Sequence, residues 1–107
     1  MQFEAILRGV NFRPASAKEV VTNLEEGAKL TLERAAGNPH DENAIKVIEP
    51  ESGEFIGYVA KEIAADLAPL LDDGVSFSCA VQGFMRVGMP ILEIVSTEPI
   101  EDEEEAD

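Results

Sequence analysis

Six short segments alternate apolar and polar residues with a period of two, which is typical of half-buried β-strands. In the first, residues 2–12, Ala5 and Leu7 share one face and Gly9 shifts the alternation, which predicts a bulge or kink. Turn-forming residues 50–53 predict a hairpin between the third and fourth segments. The remaining segments are residues 28–35, 43–49, 54–59, 75–81 and 91–97.

Two other segments space their apolar residues as helices do. Residues 16–27 begin with Ser16 and Glu19 at the spacing of a capping box, and Gly27 is the predicted stop. Residues 60–74 carry the second helical pattern. The expected fold is therefore mostly β with two short helices. A small six-stranded β-barrel, closed or partly open, is the natural architecture because closure removes exposed strand edges.

The charge of the chain is acidic and unevenly distributed. The 107 residues carry 22 acidic and 8 basic side chains, a formal net charge of −14. Residues 98–107 hold seven of the acids and no base, which leaves residues 1–97 with 15 acids, 8 bases and a charge of −7. We expect a folded domain over residues 1–97 and a disordered acidic tail over residues 98–107. This composition does not favour a basic surface for duplex nucleic acid.

No combination of residue types indicates catalysis. Cys79 is the only cysteine and occupies an inward position of a predicted strand, where a thiol is usually inert. His40 is the only histidine, so neither a nucleophilic triad nor a metal site is indicated. No phosphate-binding or dinucleotide motif is present. We expect a protein that is not an enzyme and needs no cofactor.

The sequence also carries no sign of a membrane or of secretion. No apolar run reaches the length of a membrane span, and the N-terminus lacks the layout of a signal peptide. Together with the single cysteine, these features favour a cytoplasmic protein without a membrane partner.

The segment GNPHDENAIKV, residues 37–47, concentrates polar groups at the entrance of a strand. A turn explains part of this composition, because Asp41 can accept a hydrogen bond from the backbone at Asn43. A turn does not explain the length of the polar run, or the later companions Tyr58 and Lys61.

Three motifs occur in order along the chain: GVNF at residues 9–12, NPHDENAIKV at residues 38–47 and GEFIGYVAKEIAADLAPLLDDG at residues 53–74. Together they resemble the HIRAN domain, a small OB-like β-barrel. HIRAN domains occur at the head of Swi/Snf-type fork-remodelling translocases and as short stand-alone bacterial and phage proteins, and we expect the stand-alone type here. The likeness covers Glu4 to Val81, and the ordered occurrence of three motifs makes it specific. It implies recognition of single-stranded DNA at a free 3′ end.

The resemblance implies roles for individual residues. Phe12 matches the aromatic position that stacks on a terminal base, and Asn38 and Asp41 match polar positions near the terminal sugar and its hydroxyl. Tyr58 and Lys61 match positions that contact base or phosphate. These roles are physically reasonable, since aromatic faces stack on any unpaired base. A carboxylate can accept a hydrogen bond from a 3′-OH, whereas a 3′-phosphate would repel it.

The first motif departs from the family pattern. Asn11 stands where DNA-binding eukaryotic members carry an arginine, and Phe12 lacks the phenol hydroxyl of a tyrosine. Arg13 can supply a displaced phosphate contact, and His40 in the polar loop completes the candidate DNA-binding set. Four further bases could gather near the site, although the sequence does not place them: Arg8, Arg34, Lys46 and Arg86.

Two interpretations of function stay open. The first is a non-enzymatic module that binds single-stranded DNA 3′ ends in replication or repair, working with a helicase-like translocase or another DNA-processing protein. The second keeps the barrel but assigns its acidic surface to a basic protein partner or to DNA mimicry. The net charge favours the second and the candidate residues favour the first. The tail could compete with DNA for the binding groove.

Overall fold

The computed structural model describes residues 1–97, and its strands are β1 (Gln2–Arg8), β2 (Lys29–Arg34), β3 (Ile45–Glu49), β4 (Glu54–Val59), β5 (Phe77–Phe84) and β6 (Pro90–Ser96). They close into an antiparallel barrel in the order β1-β4-β3-β2-β5-β6, so each of these strands has a partner on both sides. The predicted six-stranded barrel is confirmed. The expected acidic tail lies outside the described residues.

The barrel interior is filled by the inward residues of the alternating segments, as the period of two requires. Cys79 and Val81 of β5 are buried, and Leu7 of β1 is fully enclosed. Burial raises the pKa of the Cys79 thiol to about 12, so this thiol is not a nucleophile at neutral pH. The largest fully buried side chains include Ile45, Ile56, Leu67, Leu92 and Ile94.

The helices are α1 (Ala15–Thr22) and α2 (Lys61–Asp72). α1 packs against β4 and buries Ala17 and Val21, while α2 buries Ala64, Leu67 and Ala68. The hairpin predicted at residues 50–53 joins β3 to β4, with a register shift between Val47 and Ile48.

The start and end of α1 differ from the prediction. Pro14 is the residue that precedes the helix, Ser16 lies inside it, and no side chain caps its first turn, so the predicted capping box is wrong. The helix ends at Thr22, and Gly27 instead donates its N–H to the Val81 carbonyl at 2.8 Å. Proline fits this position because φ −63° and ψ 163° are the extended conformation usual for the residue before a helix, and its ring fixes φ near this value.

The end of β1 also differs from the prediction. The strand stops at Arg8, and Gly9, with φ 78°, turns the chain into a 3₁₀ turn over Val10–Phe12. A bulge at Gly9 within a longer strand was therefore the wrong interpretation, since the left-handed conformation ends the strand. The consequence for the site is that Phe12 leaves the sheet.

Candidate nucleic-acid interface

The loop of residues 35–44 connects β2 to β3 and is shaped by its own side chains. Asn38 Oδ1 accepts hydrogen bonds from the backbone N–H groups of His40, at 2.8 Å, and Asp41, at 3.2 Å. Asp41 Oδ1 accepts from the Asn43 N–H at 2.9 Å. The predicted backbone cap by Asp41 is confirmed, and it fixes the entry of the chain into β3.

Arg34, the last residue of β2, fastens the far side of this loop. Its Nη1 donates to the Ala44 carbonyl at 2.8 Å, and its Nη2 donates to the Glu42 carbonyl at 3.0 Å. The same guanidinium donates from Nε and Nη2 to the Asp72 carboxylate at 2.9 and 3.2 Å. Hydrogen bonding to Arg34 lowers the pKa of Asp72, and the same contact raises the pKa of Arg34. Arg34 is thus engaged in holding the loop.

A pocket of about 270 Å³ opens between this loop and the outer face of β4. Tyr58, an outward residue of β4, is brought to the loop by the pairing of β3 with β4, and Asn38 Nδ2 donates to its hydroxyl at 3.3 Å. The structure therefore brings four predicted site residues together. The lining consists of Asn38, His40, Asp41, Ala44 and Tyr58.

Two polar groups of the pocket keep hydrogen-bonding capacity. Asp41 Oδ2 accepts no hydrogen bond within residues 1–97, while Oδ1 is used by the loop. Tyr58 Oη accepts from Asn38, which leaves its own O–H able to donate. The pocket can therefore present one charged acceptor and one donor to a ligand.

Phe12 lies on the 3₁₀ turn next to this region. Its side chain is 89% exposed, so Phe12 is not part of the core. The turn packs against β4, and a Cβ built on Gly9 would lie 3.4 Å from Tyr58 Cδ2. The turn that carries Phe12 is thus held against β4, and its first residues lie beside Tyr58.

A band of cationic and aromatic side chains continues along β4. The Arg13 guanidinium stacks on the Phe55 ring at 3.8 Å, and its Nε donates to the Phe55 carbonyl at 2.8 Å. Lys46 Nζ lies 4.9 Å from the centre of the same ring, and the Tyr58 ring meets Phe55 edge-on at 5.1 Å. These contacts orient Arg13 and use one of its five N–H donors, so the other four have no hydrogen-bond partner in the described residues.

Strand register adds a third cation to this band. Tyr58 is the cross-strand partner of Arg8 on one side and of Lys46 on the other. Within residues 1–97, none of the three cations Arg8, Arg13 and Lys46 forms an ion pair. We call Arg8, Arg13, Lys46, Phe55 and Tyr58 the β4 band.

The sequence did not reveal Phe55, or that Arg8 and Lys46 flank Tyr58. The register of β1 and β3 against β4 decides this, and register depends on the whole sheet. Arg86 belongs to the β5–β6 hairpin.

Four predicted site residues do not line the pocket: Asn11, Phe12, Arg13 and Lys61. Asn11 is exposed in the middle of the 3₁₀ turn, and Lys61 is exposed at the first position of α2. Along the chain, α1 and β2 separate Asn11 from the 35–44 loop, and β3 and β4 separate Lys61 from it. Their part in binding stays a prediction.

Within residues 1–97, no group of three or more His, Cys, Asp or Glu side chains is placed to hold a metal ion. No helix in the described part of the chain is long and apolar enough to cross a membrane.

The sequence profile of the HIRAN domain matches residues 2–97. The chain belongs to the HIRAN domain family. This HIRAN domain is 47% identical over 53 residues to the Fanconi-associated nuclease 1 homolog of Arabidopsis thaliana, a match over 50% of the chain and 6% of that protein. It is 44% identical over 54 residues to the Helicase-like transcription factor of Oryctolagus cuniculus, over 50% of the chain and 5% of that protein. The chain thus spans a small part of the curated relatives it matches.

Solved structures share the fold of this HIRAN domain. The crystal structure of a protein from Lactobacillus plantarum superposes with a TM-score of 0.78 and 23% identity, over 87% of this chain and 89% of the other. The NMR structure of the HLTF HIRAN domain in its DNA-bound conformation superposes with a TM-score of 0.63 and 22% identity, over 89% of this chain and 73% of the other. At these identities the likeness establishes the barrel.

Proposed function

We propose that this HIRAN domain is a non-catalytic module that binds single-stranded DNA and receives a free 3′ end in the pocket between the 35–44 loop and Tyr58. Family membership and a HIRAN domain described in a DNA-bound conformation support DNA binding. The observation that carries the 3′-end assignment is the pocket itself. In it, Asp41, which has one carboxylate oxygen without a partner in the described residues, lines the same space as Tyr58.

Each part of the site has a chemical task in this proposal. Asp41 accepts a hydrogen bond from the 3′-OH, and Tyr58 donates to a base or sugar acceptor. His40 borders the pocket, and Phe12 stacks on an unpaired base. Cations of the β4 band follow the phosphates leading away from the terminus. Asn11 and Lys61 contact the strand at its margins.

The biological setting belongs to the same proposal. Matched relatives are named as a nuclease and as a helicase-like transcription factor, and each match covers a small fraction of those proteins. We infer that the domain works in DNA replication or repair beside a DNA-processing protein of this kind, such as a helicase-like translocase.

The test is a titration of labelled single strands that differ only at the end: a 3′-OH, a 3′-phosphate and a covalently closed circle. At low salt the 3′-OH strand should bind at least about tenfold more tightly than the other two, because the phosphate repels Asp41 and the circle has no hydroxyl to donate. Affinity for all three should fall steeply as salt is raised.

Asp41→Asn is the matched variant. Asparagine can still accept from the Asn43 N–H, so the loop keeps its shape while the pocket loses its charge. The preference for 3′-OH over 3′-phosphate should shrink to within about threefold. Equal binding of the three strands by the unmodified protein would contradict end recognition, while leaving DNA binding through the β4 band intact.

A further inference from the structure

A second and larger cavity lies on a different part of the barrel. A groove of about 650 Å³ runs between α1 and the turn that joins β3 to β4, and it shares no lining residue with the pocket of Asp41 and Tyr58. Its volume falls in the range of typical ligand pockets. We call it the α1 groove.

The floor of the α1 groove is apolar. Val20, Leu24 and Ala28 are half-buried and pack against the core with one side, so their other side faces the groove. Exposed Pro50 adds an apolar wall from the β3–β4 turn. An apolar side chain of a partner could be buried here, which would remove this surface from water.

The charged residues around this floor are mostly acidic. Four glutamates and one lysine line the groove, a formal charge of −3: Glu19, Glu25, Glu49, Glu51 and Lys29. Glu49 is engaged, because it accepts hydrogen bonds from Ser52 and from the Glu51 N–H. In the described part of the chain, the side chains of Glu19, Glu25 and Glu51 form no hydrogen bond or ion pair.

We propose that the α1 groove docks a cationic segment of another protein, in which lysines or arginines surround one or two apolar side chains. The apolar residues would fill the floor, and the cations would meet the three unpaired glutamates. Charge complementarity favours this occupant, since the groove carries a formal charge of −3 and attracts a cationic segment. A nucleic-acid strand would be repelled by the same charge.

The groove and the DNA pocket could therefore be occupied at the same time, because they have no lining residue in common. The domain would hold a DNA end on the β4 band and a basic protein segment along α1. Through the α1 groove, the domain would link the DNA end to a protein partner that carries a cationic segment.

The test uses the full chain and a labelled peptide in which lysines surround two leucines spaced as on one helical turn. Changing Glu19, Glu25 and Glu51 together to lysine should weaken peptide binding by about tenfold or more, because three attractions become repulsions. These side chains are exposed and unpaired in the described residues, so the fold should persist, which circular dichroism checks.

A matched control changes Glu62, Asp66 and Asp73 of α2 and its end to lysine, which alters the net charge by the same amount away from the groove. This control should change peptide affinity by less than about threefold. A peptide with serines in place of the leucines should bind about tenfold more weakly than the leucine peptide. Equal losses in the two triple variants, or equal binding of the two peptides, would overturn the proposal.

Nuclear magnetic resonance of the unmodified protein provides an independent readout. The leucine peptide should shift the amide signals of Val20, Leu24 and Ala28, while a 3′-OH strand should leave them in place. Peptide-induced shifts confined to other parts of the chain would overturn the proposal. Phe12→Ala should leave peptide affinity unchanged, and a loss there would assign the peptide to the DNA site instead.

Discussion

The ring of Phe12 is a large apolar group held in water by a three-residue turn. It contributes little to the core, because 89% of it is exposed, yet its position beside β4 makes it available to an unpaired base. Folding and binding are therefore separable at this residue.

We expect Phe12→Ala to weaken single-stranded DNA binding by roughly 1–3 kcal/mol, the usual contribution of one stacked base. The free energy of unfolding should change by less than about 0.5 kcal/mol, as for other surface substitutions. Fluorescence anisotropy measures the first quantity and urea unfolding the second.

Two further variants separate stacking from simple apolar contact. Phe12→Tyr should retain affinity because it keeps the aromatic face, whereas Phe12→Leu should behave like Phe12→Ala. Full affinity in the leucine variant would rule out base stacking at this position.

Among the elements, the 35–44 loop depends on a side chain that does not line the pocket. Arg34 donates to the carbonyls of Glu42 and Ala44 and to the Asp72 carboxylate, which ties the loop to α2. Lysine cannot reproduce this planar set of donors.

We expect Arg34→Lys to weaken binding of the 3′-OH strand by about five- to tenfold and to lower stability by about 1–2 kcal/mol, through loss of the loop hydrogen bonds. Asp72→Asn is the control, because it removes the ion pair but keeps both bonds to the loop carbonyls. It should change affinity by less than about twofold, since exposed ion pairs contribute little. Anisotropy and urea unfolding are the measurements, and equal effects of the two variants would contradict the assignment.

Ser52 donates hydrogen bonds to the Glu49 carboxylate in the β3–β4 turn, and we call this contact the clamp. Its contribution to stability depends on pH. Glu49 Oε1 accepts from the Ser52 Oγ at 2.6 Å and the Ser52 N–H at 2.8 Å, and these bonds lower the pKa of Glu49 below its ordinary value of 4.5. A lowered pKa in the folded state stabilises the protein above the unfolded-state pKa, and this contribution is lost as pH falls through the folded-state pKa.

Glu49→Gln should therefore lower stability at pH 7 by less than about 1 kcal/mol, because the clamp is screened by solvent. The difference from the unmodified protein should shrink below pH 4.5 and disappear once Glu49 is protonated in both states. Urea unfolding across this pH range measures it. The control is Glu51→Gln. A difference in the free energy of unfolding between Glu49→Gln and Glu51→Gln that persists at low pH would contradict the clamp.

Across the whole molecule, charge is distributed unevenly. Residues 1–97 carry a net charge of −7, yet three of their eight bases, Arg8, Arg13 and Lys46, lie around the outer face of β4. The α1 groove carries the opposite sign. Net charge alone therefore did not predict where a polyanion could bind.

The alternation of apolar and polar residues was sufficient to predict the barrel, because alternation depends only on residues that are close together in the sequence. Cys79 and Val81 point inward whatever the strands pair with, so β5 could be predicted from its own residues. The end of β1 could not, since the left-handed turn at Gly9 and the helix start at Pro14 depend on packing against β4.

The pocket was predictable in part. The resemblance to HIRAN domains indicated Asp41 and Tyr58, and the pairing of β3 with β4 brings them together. The cations beside Tyr58 were not predictable, because the cross-strand partners of this residue depend on the register of three strands.

The central claim is that the 35–44 loop, Tyr58 and Phe12 together form one binding site for the last nucleotide of a strand. The most direct measurement is an amide chemical-shift map of the protein with a 3′-OH strand and with a circular strand of the same sequence. With the 3′-OH strand, the signals of Phe12, Asp41 and Tyr58 should move together at the same DNA concentrations. With the circle, shifts should be confined to the β4 band, and the 35–44 loop should show none. Identical chemical-shift maps for the two strands would contradict the account. So would unchanged amide signals in the 35–44 loop when the 3′-OH strand binds.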